Sequence, residues 1–350
     1  MKDLFAEEFP VLKHTTYLNT AYVGLLSKSL LEKRRTIDES YWLKGDQFKI
    51  EAYDSLFKNQ EAVAKFVNAN PTQTYLTANF SSGIRAVLNE IPKSSRFLTL
   101  EEDYPSLVTA ISEAGFKTET VPIVENLEKE IERKFDKETT SFDVLALSMV
   151  QYVSGLMVDF EFLSRLKKKF PKLIIIGDAT QMIGAFDFDF KKSPFDVIAT
   201  SGYKWLLAGF GNGFVCVSNH FLKKVGLRSE AFHEKMYAGH FNMLGIDSLV
   251  FSIKRFQEWG FPDLLNRKQE LTRFLKDELL GLDVLDSIAQ NRSMHSSIFN
   301  IPGGEAMFQE MNSKKIRCAL RGKGIRVSLH FYNSEAEVER LITFLKKKSK

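Results

Sequence analysis

In "SGYKWLLAGFGNG", Ser201 to Gly213, a lysine sits between a tyrosine and a tryptophan, after an apolar run and before three alternating glycines. A lysine drawn out of water binds its proton less tightly and becomes an amine nucleophile, able to form a Schiff base with an aldehyde. Other polar residues close apolar runs in the same manner. Asp178 follows "KLIIIG", and a carboxylate there could hold positive charge on a heteroaromatic nitrogen. Ser81 and Ser82 in "NFSSG", with free amides at a helix start, make an anion site suited to phosphate. Tyr104, in "EEDYPS" after "RFLTL", could stack on a flat ring.

An aldehyde, a basic ring nitrogen, a flat ring and a phosphate together describe pyridoxal 5'-phosphate (PLP). Proteins tune that cofactor through a lysine and a carboxylate at the ring nitrogen. Each residue alone has a plainer reading. Lysines are mostly surface residues, Asp178 could cap a turn, "SSG" could be an ordinary helix N-cap, and Tyr104 before a proline could simply pack. Their joint occurrence, in order, at successive strand ends favours the chemical reading. "GFGNG" is not a dinucleotide fingerprint, because it precedes the strand-like "FVCVSN" instead of following a strand and opening a helix.

The elements that must position these residues alternate. "SLLEKRRTIDESYWLKG" reads as a helix ending at Gly45, and "IEAYDSLFKNQEAVAKFVNA" as a second amphipathic helix. "TYLTAN", "RFLTL", "DVLALSMV", "KLIIIGD", "FDVIATS" and "GNGFVCVSN" read as strands. Between them, "SSGIRAVLNEI" opens a helix with two serines in its N-cap region, and "SLVTAISEAG" and "EFLSRLKKKFP" are helices. Apolar strands separated by helices predict an α/β fold with a largely parallel sheet covered on both faces. Ligands bind such sheets at the carboxyl ends of the strands. After about residue 240 come two long helices, then "SSIFNIP", the strand-like "KIRCALR", "GIRVSLHF" and a closing helix. This predicts a smaller C-terminal α+β domain.

Length and composition fit that picture. The 350 residues, 44% hydrophobic and 26% charged, suit an ordinary globular protein. A net charge of +4 is too balanced to imply nucleic acid. Two cysteines exclude a disulfide framework and point to a reducing cytoplasm. The N-terminus mixes acids into its apolar residues, unlike a secretory signal. No apolar run reaches the ~20 residues of a membrane helix, and the six histidines lack metal spacing.

With these residues in place, the sequence resembles the class-V aminotransferase family, fold type I PLP enzymes that include cysteine desulfurases and isopenicillin N epimerase-like proteins. "GDATQ" is similar to the family's D-x-x-Q/H motif, and "TSGYKW" resembles its S-x-H-K motif. The resemblance implies that Asp178 partners the pyridine nitrogen and that Gln181 contacts the ring oxygen or imine region. It makes Lys204 the Schiff-base lysine and Ser201 a phosphate ligand, with Tyr203 in place of the usual histidine. "LTANFSSGIRAVL" occupies the place of the phosphate loop, with Phe80 contributing an amide and Ser81 a hydroxyl. Tyr104 falls where the stacking residue belongs, and Gln151 or Tyr152 near the ring hydroxyl. His240 replaces a threonine that commonly reaches the partner subunit's phosphate. "GIRVSLHFYNSEAEVERL" is similar to the C-terminal signature, in which Arg326 grips the substrate carboxylate. "FPVLKHTTYLNTAYVG" is similar to the N-terminal segment, which makes Asn19 and Tyr22 substrate-binding candidates.

The resemblance thus implies a large PLP-binding domain over residues 15–262, built on a seven-stranded-type sheet. It implies a small domain over 263–350 with 1–14, and a homodimer acting on a small amino acid, with no nucleic acid or membrane partner. The desulfurase persulfide step needs an accessible, low-pKa thiol. Cys216 in "GFVCVS" and Cys318 in "KIRCALR" read instead as core residues. Transamination is therefore the first reading. A PLP-dependent lyase or epimerase, or a non-catalytic PLP-fold binding protein, are the alternatives.

Overall fold

In the computed structural model, which describes residues 2–136, 141–237 and 239–348, the strands in chain order are β1 (Thr16–Tyr17), β2 (Thr74–Thr77), β3 (Arg96–Leu100), β4 (Lys117–Val121), β5 (Val144–Ser148), β6 (Ile174–Asp178), β7 (Val197–Ser201), β8 (Gly213–Val217), β9 (Ile298–Pro302), β10 (Ile316–Arg317), β11 (Ala319–Arg321) and β12 (Gly324–Ser328). The apolar runs are too continuous to leave one side in water. Every residue of β5 to β8 is accordingly buried, in a seven-stranded sheet of order β2-β8-β7-β6-β5-β3-β4. Its two faces carry separate apolar clusters beneath the flanking helices. Burying one isoleucine such as Ile175 or Ile176 fully contributes roughly 1.5–3 kcal/mol, so the middle strands anchor the domain.

Strands β7, β6, β5, β3 and β4 pair in parallel, while β8 runs antiparallel to both β7 and β2. Strand β2 therefore points the same way as the parallel set. The carboxyl ends of β2, β3, β5, β6 and β7 meet along one edge, where "NFSSG", "EEDYPS", "QYVSG", Asp178 and Lys204 follow. A three-stranded antiparallel sheet, β11-β12-β9, carries its own core with helices Phe261–Gly281 and Glu335–Lys346. No helix among the described residues is long and apolar enough to cross a membrane.

Four local expectations are corrected. The segment read as one amphipathic helix is two, Asp46–Asp54 and Leu56–Phe66, interrupted at Ser55, whose hydroxyl donates back to the Ala52 carbonyl at 2.8 Å. Such back-bonding competes with the helical ladder. The helix Phe80–Glu90 is capped by Asn79, not by the serines: its side chain accepts from the Ser82 amide at 2.9 Å. "KIRCALR" is two strands, because the chain changes partners at Cys318, from β1 to β12. Strand β4, "KTETV", gave no apolar signal because it is the polar edge of the sheet.

Backbone contact locks the lysine loop in place. The Gly24 amide donates to the Tyr203 carbonyl at 2.9 Å, and a Cβ at Gly24 would lie 1.9 Å from the Lys204 carbonyl oxygen. Gly184, at φ +88°, approaches the Trp205 carbonyl in the same way, 2.6 Å from its own Cβ position. Gly24→Ala is expected to lower stability by about 1–3 kcal/mol, read as a lower urea midpoint at unchanged slope. An unshifted midpoint would show that the loop can yield.

Candidate active site

The five strand ends bring one buried cation and one buried anion together. Asp178, the last residue of β6, and Lys204, three residues beyond β7, are both almost wholly buried. Burial pushes the Asp178 carboxyl above the usual carboxylate range, with Asp103 adding to the effect and Thr180 opposing it. Burial pulls the Lys204 amine below its usual value. Asp178 opposes this, while Arg326 and Arg321 reinforce it. Each charge offsets part of the other's desolvation. The Lys204 Nζ lies 5.1 Å from the Tyr104 ring centroid and 5.6 Å from that of Tyr203.

Aromatic rings wall this centre. Tyr104 meets Phe80 edge-on at 6.1 Å and Tyr152 at 5.5 Å. Tyr203 stacks on Phe210 at 5.0 Å. At one end, the Ser201 hydroxyl accepts from the Phe80 amide at 2.8 Å, the first amide of the helix Phe80–Glu90. Ser81 follows it in the same first turn, half-buried. A hydroxyl and a helix N-terminus thus sit side by side, an arrangement that suits a phosphate.

At the other end stands Arg326 on β12, 2% exposed. One terminal nitrogen donates to the Tyr152 carbonyl at 2.6 Å, while Nε and the other terminal nitrogen are buried without partners. A buried guanidinium left open on two nitrogens is poised for a bidentate carboxylate. Asn19 bridges to Ser328, at the end of the same strand, and its Oδ1 is likewise buried and unpartnered. Tyr22 is half-exposed beside them.

The remaining candidates serve the frame. Both ends of the Gln181 amide are engaged, donating to the Ala21 carbonyl and accepting from the Trp205 indole at 2.6 Å. The Gln151 side-chain oxygen accepts from the Val153 and Ser154 amides and folds its own loop. His240 is at the surface, hydrogen-bonded to the Tyr53 hydroxyl at 2.8 Å. Sequence reasoning missed Asp103, whose carboxylate accepts from the Tyr104 amide and from the amide and hydroxyl of Ser148, holding the stacking residue to β5. Its signal was an acid directly before Tyr104 and a serine closing an apolar strand. His330 was missed too. It is fully buried and donates from Nε2 to the Trp205 carbonyl at 3.0 Å.

The donor set fits PLP. A buried carboxylate, a desolvated amine 5.1 Å from a tyrosine ring, and a hydroxyl beside a helix N-terminus are the groups such a cofactor requires. Among the described residues, no group of three or more His, Cys, Asp or Glu could hold a metal ion.

Comparison with known proteins agrees. The profile of the family described as "Aminotransferase class-V" matches residues 44–341. A probable cysteine desulfurase of Borreliella burgdorferi is 22% identical, covering 97% of this chain and 94% of that protein. An uncharacterized aminotransferase of Bacillus subtilis, YcbU, is 19% identical, covering 98% and 96%. The solved complex of the cystine C–S lyase C-DES with its reaction product cysteine persulfide superposes with a TM-score of 0.86 at 16% identity, covering 96% of this chain and 98% of that one. The fold is that of the fold type I PLP enzymes, and PLP is the cofactor.

Behind Trp205 lies a further buried cation. Lys268, on helix Phe261–Gly281, is 3% exposed; its Nζ has no hydrogen-bond partner and rests 3.9 Å from the Phe186 ring centroid and 5.5 Å from that of Trp205. Burial pulls its pKa from 10.5 down to about 7. Between those values the unfolded chain holds more protons, so stability rises with pH across the window, and the whole penalty is present below about 7. Lys268→Met is expected to stabilise the chain at pH 6 by on the order of 1–4 kcal/mol, a gain that fades by pH 10. Denaturant melts at both pH values check this; an equal gain at both would show that no buried charge is involved.

Proposed function

The chain belongs to the class-V aminotransferase family, and on that premise we propose that it transfers the amino group of an α-amino acid to a 2-oxo acid. The carrying observation is the pair of open nitrogens on buried Arg326, in the same enclosure as the Lys204 amine. A carboxylate gripped there presents the adjacent α-carbon to Lys204. When bound, PLP supplies an electron sink for the charge left at that carbon. Asp178 would hold the ring nitrogen in its cationic form, Ser201 and the Phe80–Glu90 N-terminus would hold the phosphate, and Tyr104 would offer its ring for stacking. The Lys204 Nζ takes the α-proton, a task suited to an amine whose proton affinity burial has lowered. Transamination would require that the proton held on Lys204 not return to the α-carbon it came from.

A desulfurase's thiol relay lacks support here. Cys216 and Cys318 are buried, and burial pushes both thiols up to about 12. As parts of the same proposal, residues 15–262 form the PLP-binding domain, and 263–350 with 1–14 the small one. The chain works as a homodimer in a reducing cytoplasm. Supporting the dimer are Trp42 at 82% and Leu43 at 75% exposure, with Ile50 and Phe57 also exposed on the adjoining helices, an apolar set that water disfavours.

Borohydride reduction of the PLP-loaded protein is expected to fix the cofactor to Lys204, located by peptide mass, and Lys204→Ala to abolish the link. New amino acid should then form only when a 2-oxo acid accompanies the donor. Ammonia released from the donor alone would overturn transamination in favour of elimination. The double variant Cys216→Ala, Cys318→Ala should keep its turnover; loss of turnover in a folded variant would restore a thiol mechanism.

A further inference from the structure

We infer that the site selects amino acids carrying a second acidic group, and that Arg321 reads it. The inference rests on the reading above and deepens it. Strands β11 and β12 form a hairpin in which Ala319 faces Arg326 and Arg321 faces Gly324. Side chains directly opposite in an antiparallel pair share a face, and so do residues two apart on one strand. Arg321 and Arg326 therefore lie diagonally on one face. Diagonal neighbours lie within reach of long side chains, so two cations there repel, and an anion between them would offset that repulsion. Among the described residues, neither arginine has a carboxylate within ion-pair distance. Arg321 uses one nitrogen on the Leu320 carbonyl at 3.0 Å.

The surroundings place Arg321 at the mouth of the site. Its guanidinium lies over the Tyr22 ring at 5.1 Å, a contact that holds a flat cation in a fixed plane. Tyr22 is 50% exposed, whereas Arg326 is 2% exposed. The two cations thus form a deep and a shallow anchor. The field of Arg321 is felt by both the Arg326 guanidinium and the Lys204 amine. A substrate whose α-carboxylate reaches Arg326 has its side chain directed toward Arg321. A carboxylate at the end of that side chain would balance the charge that the chain itself leaves unbalanced. Tyr22 then acts by orienting Arg321.

The test uses the PLP-loaded protein, with glutarate and butyrate as amine-free probes measured by calorimetry. Glutarate is expected to bind about 10- to 100-fold more tightly than butyrate. Arg321→Gln should bring that ratio close to one, and Arg321→Lys should restore part of it. Turnover of L-glutamate, L-aspartate and L-cystine, set against L-glutamine and L-alanine, then identifies which kind of diacid is the substrate. Equal binding of the two probes, or a ratio untouched by Arg321→Gln, overturns the inference. The borohydride link to Lys204, read in the same preparation, reports separately on the enzyme reading. Its absence with the glutarate preference intact would sink transamination and leave the paired-arginine site standing.

Discussion

The architecture turns on two desolvated groups of opposite charge, Lys204 and Asp178, buried near one another. A lysine and an aspartate are held out of water at the ends of adjacent strands, in a space enclosed by tyrosines. Either group alone would carry its full desolvation cost, as Lys268 does behind Trp205. Together they offset part of the cost, and the same desolvation that opposes folding gives the amine its reactivity. The parallel sheet makes this possible. Its strands are buried on both faces, so only their ends can present polar groups, and five of those ends open on one edge.

The shell around the pair is rigid for identifiable reasons. Asp103 ties Tyr104 to β5 through three hydrogen bonds. Gln181 ties Trp205 to the N-terminal segment, and Gly24 lets that segment lie directly on the lysine's backbone. Against this completed frame, the open atoms stand out. Two nitrogens of Arg326 and the oxygen of Asn19 are buried with nothing to bind. Buried polar groups are nearly always satisfied, so unsatisfied ones clustered at the edge of a reactive amine mark where a ligand's polar atoms go.

Much of this was legible from residue order. The strand ends carrying Asp178, Ser201 and Lys204 were readable because long apolar runs stop abruptly at polar residues. Gly45 as a helix terminus was readable from local chemistry. What failed shared a cause. Ser81 and Ser82 looked like caps, yet both lie inside the first turn, and Asn79, extended just before it, places its side-chain oxygen under the Ser82 amide. Strand β4 has no apolar period because an edge strand needs none. The break at Cys318 depends on β1, some 300 residues away in the chain, and local sequence holds no trace of a partner so distant.

The sequence by itself determined the layered α/β fold, the order of strand ends and the polar residue types gathered at them, since periodicity and polar punctuation are local properties of the chain. The tertiary structure decided which polar groups are free. Gln181 looks as available in sequence as Arg326 does, yet both ends of its amide are consumed by the frame and the arginine is left open. It also decided that Arg321 and Arg326, five residues apart, share a face, because that follows from the hairpin's register. Availability and register are set by what surrounds a side chain in space, and the linear order of residues does not contain that.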